Sequence, residues 1–174
     1  AAAQAGRDLF KIGITPYYAS QIRGDEPTCP VRLQCVPRMG EMKVEPWDLE
    51  DPLGEEKDMP VQGITHRYPD RALFYITQNC AMFCRHCTRK RKVADPATAA
   101  NDAQIQKCID YVAAHPEVRD VIVSGGDPLT FSDDKLESIL SRLRAIPHVE
   151  ILRLGTRTPV TMPQRITPEL VQML

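Results

Sequence analysis

The sequence lacks several features that would assign it to a specialised class of protein. Neither sign of charge dominates, since 22 Lys and Arg stand against 23 Asp and Glu for a net charge of −1. A broad basic surface for nucleic acid is therefore not expected. No apolar run approaches the roughly 18 residues that a membrane-spanning helix needs, so we expect no membrane contact. The start of the chain has no apolar core of signal-peptide length, so no secretion signal is expected. It also lacks an initiator Met, from which we expect a trimmed chain or a fragment.

Proline, by contrast, is abundant and unevenly placed. Many of the 15 prolines fall in the first 70 positions, which predicts an irregular lead segment. With 43% hydrophobic and 26% charged residues, the chain otherwise has ordinary globular composition. We therefore expect a mostly helical or irregular N-terminal segment over residues 1–69 and a regular fold over residues 70–174.

Hydrophobic periodicity after residue 70 predicts alternating strands and helices. Short apolar runs predict strands, amphipathic stretches predict helices, and Thr167-Pro168-Glu169 is typical of a helix start. The strands are predicted over 71–77, 120–124 and 149–154, and the two complete helices over 102–114 and 132–143. This β-α-β-α-β-α order predicts an α/β fold with a parallel sheet, either open or part of a barrel.

Polar loops follow each predicted strand at its carboxyl end, where parallel α/β folds collect their active-site residues. The three loops are TQNCAMFCRHCTRKRK, SGGDPLTFSD and GTRTPV. A core has no need of their glycines and polar residues, so we expect the functional site there.

The first loop contains Cys80, Cys84 and Cys87 in a Cys-x3-Cys-x2-Cys pattern. Without a secretion signal we expect a cytoplasmic protein, in which clustered thiols indicate metal or redox chemistry rather than disulfides. An iron–sulfur cube normally takes four thiolates, so three would leave one iron open to substrate. Zinc is the alternative and would require a fourth ligand. Of the other three cysteines, Cys108 is expected in the core and Cys29 and Cys35 as unpaired thiols.

The cysteine spacing after the first strand of a βα repeat resembles that of the radical S-adenosylmethionine enzymes. The second loop strengthens the resemblance, because Ser124, Gly125, Gly126 and Asp127 lie where that family holds the methionine amino group. Longer strings, including THRYPDRALFYIT, CRHCTRKR, VRDVIVSGGDPL and IPHVEILRLGTRTPV, resemble lysine 2,3-aminomutase and its relatives over nearly the whole chain.

The resemblance implies a partial (β/α) barrel, present here as its first three βα units after the N-terminal segment. It also implies a 4Fe-4S cluster, S-adenosylmethionine and pyridoxal 5′-phosphate as cofactors, and an external one-electron reductant. The implied reaction moves the α-amino group of an amino acid, with L-lysine favoured, to the β-carbon. Glutamate, arginine or a translation-factor lysine are alternative substrates, and a non-catalytic zinc-binding module is the alternative function. Homo-oligomers are expected for the intact protein.

The same resemblance implies roles for individual residues. Cys80, Cys84 and Cys87 would bind the cluster, and Ser124 to Asp127 would line the S-adenosylmethionine site, where a carboxylate suits an ammonium group. Guanidinium groups suit a phosphate dianion, and the residues implied for pyridoxal phosphate are Arg67, Tyr68 and Arg71. Arg89 would pair with the substrate carboxylate. Without the family, HRYPDR would be interpreted as a solvated turn and the basic run 88–92 as a solvated surface.

One part of the family's machinery has no counterpart in the sequence. The family attaches pyridoxal phosphate to a lysine in the C-terminal half of its chains, and no lysine here matches that motif. The catalytic lysine therefore stays unassigned, and we expect this chain alone not to perform the full reaction.

Overall fold

The computed structural model describes residues 11–93 and 100–174, which form a four-stranded mixed sheet with helices. The strands lie side by side in chain order. They are β1 (Ile64–Tyr68), β2 (Arg71–Thr77), β3 (Asp120–Gly125) and β4 (Ile151–Leu154). The helices of the described residues are α1 (Pro16–Ser20), α2 (Pro30–Cys35), α3 (Asp102–Ala114), α4 (Asp133–Arg144), α5 (Thr158–Thr161) and α6 (Pro168–Met173).

The parallel part of the sheet confirms the predicted alternation. Strands β2, β3 and β4 run parallel, and α3 and α4 connect them. The Asn101 side chain caps α3 by accepting a hydrogen bond from the Gln104 amide, and Thr167 caps α6 in the same way through Leu170. The fold is therefore α/β, with a sheet that is not closed and is consistent with part of a barrel.

Strand β1 corrects the expectation of a purely parallel sheet. It pairs antiparallel with β2, because only Pro69 and Asp70 separate the two strands and so short a connection can only reverse the chain. Arg67 and Tyr68, expected in a turn before the first strand, are thus strand residues. The change of character expected near residue 70 falls at the turn of this hairpin.

The face of the sheet that α3 and α4 cover forms the main core. Its strand residues are Ala72, Phe74, Ile76, Val121 and Val123, all fully buried. The predicted helical stripes pack against them, and Cys108 is buried among them as expected. Within the part of the chain that the structure describes, no helix combines the length and apolarity needed to cross a membrane.

The N-terminal segment packs against the cysteine loop through a second, smaller core. Met82 from that loop is buried with Tyr18 of α1 and Cys35 of α2. Backbone hydrogen bonds add to this packing, since the amides of Phe83 and Arg85 donate to the carbonyls of Gly13 and Gln34, each over 2.9 Å. The segment therefore supports the loop that carries the cysteine motif.

Candidate functional site

The register of the sheet brings the three polar loops to one edge. Arg71 pairs with Asp120 and Asp120 with Ile151, so the three parallel strands begin together. Their carboxyl ends therefore lie side by side, and the loops that follow can contact one another.

Backbone atoms join the first and second loops directly. The amide of Gly126 donates to the carbonyl of Thr77, and the amide of Asp127 donates to the carbonyl of Asn79. The N–O distance is 2.6 Å in both hydrogen bonds. A Cβ on Gly126 would lie 2.2 Å from the Asn79 oxygen, and one on Gly125 would lie 2.3 Å from the Thr77 oxygen. Gly125 also has a φ of +117°. The glycine pair, which we expected to admit a ligand, is thus required first by the packing of one loop on the other.

The Asp127 carboxylate ties the second loop to the third. It accepts four hydrogen bonds, from the amides of Leu129, Arg157 and Thr158 and from the Thr156 hydroxyl, at 2.6–3.1 Å. The residue is 5% exposed. We expected this carboxylate to be available to an ammonium group; instead, protein donors surround it. Its visible role is to hold the loops together, and the ligand role stays a prediction.

The three motif cysteines border a single cavity of about 380 Å³. All three are free thiols and partly exposed, whereas Cys29, Cys35 and Cys108 are free and buried. Among the residues that the structure describes, no three His, Cys, Asp or Glu side chains converge on a single ion. The thiols surround a space instead of meeting at a point.

Burial is the main influence on the pKa values of two thiols at this cavity. Burial, together with the charges of Asp127, Cys87 and Cys84, raises the pKa of Cys80 to about 12. Burial and Cys84 also raise the pKa of Cys87. Ionising the thiols together is therefore unfavourable in the free chain, and a metal centre that binds thiolates would remove this repulsion. Three soft, partly accessible thiols around a cavity fit an iron–sulfur cluster.

Arg157 of the third loop reaches the cysteine motif. Its Nη1 donates to the Cys84 sulfur at a distance of 2.7 Å, and its Nη2 donates to Gln34 Oε1 at a distance of 2.8 Å. Arg157 belongs to the third polar loop, GTRTPV, which the sequence places at the expected functional site without a role for this residue. The structure shows a cation against a predicted cluster ligand, which joins the third loop to the first.

The residues predicted for pyridoxal phosphate border a second, smaller cavity. Arg67, Tyr68 and Arg71 line it together with Glu55, and its volume is about 130 Å³. Arg67 Nε donates to Asp58 over 2.6 Å, and Arg71 Nε donates to Asp120 over 2.8 Å. Two guanidinium groups and a phenol beside one cavity match the chemistry of a phosphate group.

Arg89 lies between an acidic and an aromatic side chain. It pairs with Glu55, and its guanidinium lies 4.9 Å from the centroid of the Tyr75 ring. Sequence reasoning missed Glu55, because it belongs to a run of acidic residues with no distinguishing motif. It also missed Asp120, a buried carboxylate between Arg71 and Arg153. For Asp120, a charged residue at the start of an apolar strand was the available signal.

Comparison with known proteins gives one family model and several similar enzymes. Residues 74–174 match the family model of the Radical SAM superfamily. The chain is 54% identical over 167 residues to L-lysine 2,3-aminomutase of Fusobacterium nucleatum and 54% over 172 residues to that of Clostridium subterminale. It is 50% identical over 165 residues to glutamate 2,3-aminomutase of Clostridioides difficile. These alignments cover 95–99% of this chain but only 39–41% of the relatives.

Proposed function

This chain belongs to the radical S-adenosylmethionine superfamily, and we propose that the protein containing it is a pyridoxal-phosphate-dependent 2,3-aminomutase. The proposed reaction moves the α-amino group of L-lysine to its β-carbon. The observation that carries the proposal is the 54% identity to L-lysine 2,3-aminomutases over nearly all of this chain.

We assign the cofactors to the two cavities. Cys80, Cys84 and Cys87 would hold a 4Fe-4S cluster, with S-adenosylmethionine against the loop from Ser124 to Asp127. Arg67, Tyr68 and Arg71 would hold the phosphate of pyridoxal phosphate. When bound, these groups supply a radical initiator and a carrier for the amino group, and the protein positions them.

Arg89 would bind the carboxylate of the substrate. A guanidinium can bind a carboxylate through two parallel hydrogen bonds, which fixes orientation as well as position. Every α-amino acid carries that carboxylate, so Arg89 does not choose between substrates. Glutamate is the second candidate, because the chain is 50% identical to a glutamate 2,3-aminomutase.

The proposed reaction also requires partners from outside this chain. An external one-electron reductant would start each cycle, since the radical chemistry of the superfamily depends on reductive cleavage of S-adenosylmethionine. Oligomer formation by the intact protein stays a prediction from the family resemblance.

A reconstitution experiment on the full-length protein tests the proposal. The protein is loaded anaerobically with iron and sulfide and then given S-adenosylmethionine, pyridoxal phosphate, a reductant and either lysine or glutamate. We expect a brown iron–sulfur chromophore and a β-amino acid product from lysine. A colourless protein with stoichiometric zinc would contradict the proposal and favour the zinc-binding module.

Two cysteine variants make this test specific. Cys84→Ala removes a predicted cluster ligand, so we expect loss of both the chromophore and the product. Cys108→Ala is the matched control, because this thiol is buried in the core away from the loops. The control should keep its colour. Equal colour in both variants would place the cluster elsewhere.

A further inference from the structure

Glu55 holds Arg89 through one edge of its guanidinium group. Nε of Arg89 donates to Oε2 of Glu55 at 3.0 Å and to Oε1 at 3.2 Å. Nη2 of Arg89 donates to Oε1 at 2.6 Å. Glu55 is only 5% exposed, so water competes little for this carboxylate. The pair is bidentate and largely shielded from solvent.

The Glu55 carboxylate leaves the opposite edge of the same guanidinium uncontacted. An arginine side chain presents five N–H donors, and Nε with Nη2 forms one edge while Nη1 with Nη2 forms the other. Glu55 binds Nε and Nη2 and leaves Nη1 outside the pair. The geometry of the pair is therefore compatible with a second carboxylate that approaches the Nη1–Nη2 edge.

We infer that Glu55 is the positioning residue that orients Arg89 to receive the carboxylate of the amino acid substrate. This inference rests on the proposed function, which assigns the substrate carboxylate to Arg89. Glu55 does not touch the substrate. It acts by fixing the plane and direction of the guanidinium.

Tyr75 completes the support from a second direction. Its ring lies beneath the Arg89 guanidinium, and its hydroxyl shares a 2.7 Å hydrogen bond with Thr65 Oγ1, which anchors the ring to β1. A cation over an aromatic face gains a further attraction. With one edge and one face occupied, Arg89 loses little rotamer freedom when a substrate arrives, which favours binding.

Neighbouring acidic residues show that Glu55 differs from a surface ion pair. Glu56 pairs with Arg91 and Lys92, and its side chain is 60% exposed. Exposed pairs of that kind contribute little. Glu55 immediately precedes the short 3-10 helix Glu56–Asp58 and is buried at the border of the cavity that Arg67 and Arg71 also line.

A competing explanation predicts the opposite change in substrate affinity when Glu55 is replaced. If the Glu55 carboxylate occupied the place of the substrate carboxylate, its removal would free Arg89 and strengthen substrate binding. If Glu55 positions Arg89, its removal weakens binding. The direction of the change in substrate affinity therefore separates the two.

The test compares Glu55→Gln with Glu56→Gln in the full-length protein carrying its cluster and pyridoxal phosphate. Binding of lysine is measured by calorimetry without reductant, so that no turnover occurs. We expect the dissociation constant to rise about tenfold or more in Glu55→Gln, because glutamine offers one acceptor in place of two. Glu56→Gln should match the unmodified protein. With reductant present, KM should rise far more than kcat falls.

Two further measurements exclude a general loss of structure. Cadaverine, the diamine that corresponds to lysine without its carboxylate, should bind equally to Glu55→Gln and to the unmodified protein. In an Arg89→Lys background, Glu55→Gln should cause no additional loss of lysine affinity. The guanidinium that Glu55 is proposed to orient is already absent in that background. Unchanged or tighter lysine binding in Glu55→Gln overturns the inference alone. Absence of amino-acid binding in the unmodified protein overturns the proposed function, and the inference with it.

Discussion

The two faces of the sheet differ in chemistry, although alternate residues of the same strands build them. On the helix-covered face, Phe74 and Val121 are fully buried among apolar side chains. On the opposite face, Arg71 of β2 pairs with Asp120 of β3, and Tyr75 of β2 shares a hydrogen bond with Thr65 of β1, so ion pairs and hydrogen bonds accompany the apolar contacts. The twofold alternation of a strand thus separates the core from the candidate site.

This contrast separates the face that stabilises the fold from the face that carries the residues proposed to bind ligands. Apolar burial provides most of the driving force for folding. Buried charges gain much less, because the loss of hydration offsets their attraction, and apolar replacements are often as stable. A charged face kept on a central strand therefore indicates a requirement other than stability, and the proposed binding of anionic groups would be such a requirement.

Among the substitutions considered, truncating Phe74 should lower the free energy of unfolding the most. Phe74→Ala removes a fully buried ring from the helix-covered face and should lower the free energy of unfolding by about 3–5 kcal/mol. Denaturant unfolding monitored by circular dichroism measures the change. Leu73→Ala is the control, since Leu73 is only partly buried and borders the cavity on the other face. Equal losses in the two variants would contradict the assignment of stability to one face.

Replacing Asp120 should have an intermediate effect that depends on pH. Burial would raise the pKa of Asp120, but hydrogen bonds from Arg153 and Arg71 outweigh it and lower the pKa. Asp120→Asn should reduce the free energy of unfolding by about 1.5–3 kcal/mol near neutral pH. The lower figure is expected, because both arginines remain partly in water.

The pH profile of the same variant checks the cause. A lowered pKa stabilises the folded state above the ordinary carboxyl pKa of about 3.9, and this stabilisation is lost as the pH falls through the folded value. The two proteins should therefore converge in stability in acid. Asp70→Asn, which breaks an exposed pair with Arg119, should change stability by less than about 1 kcal/mol. A constant difference for Asp120→Asn at all pH values would rule out the charge as its source.

Removing one hydroxyl from the charged face should have the smallest effect. Burial raises the pKa of Tyr75 and keeps its hydroxyl protonated, bonded to Thr65. Tyr75→Phe keeps the ring under Arg89 and should cost about 0.5–1.5 kcal/mol, measured by thermal unfolding. Thr65→Val should cost a similar amount, and the double variant should cost little more than either. Additive losses would mean that the two hydroxyls act independently.

Local patterns predicted the helices and the parallel strands well. The bounds of α3 match the prediction because an apolar stripe and the Asn101 cap both lie within the segment itself. Strand β1 was missed because its charged residues suggest a turn and only its pairing with β2 reveals a strand. The Cys-x3-Cys-x2-Cys motif was found because its three cysteines, the predicted cluster ligands, are close in sequence.

The partners of the predicted site residues could not be found in the same way. Glu55 precedes Arg89 by 34 residues, and Asp120 follows Arg71 by 49. Nothing in either local sequence indicates which carboxylate meets which guanidinium. Three of the four hydrogen bonds of Asp127 likewise depend on the third loop folding back over the second.

The main-chain contact between the first two loops also sets which substitutions each loop accepts. Asn79 contributes only its carbonyl to the contact, and its side chain is exposed, so most residues could replace it without changing the spacing of the loops. Position 126 accepts no residue other than glycine unless the backbone moves. In a library randomised at both positions, functional members should vary at 79 and be nearly uniform at 126. The demand for glycine there would come from a neighbouring carbonyl before any ligand is bound.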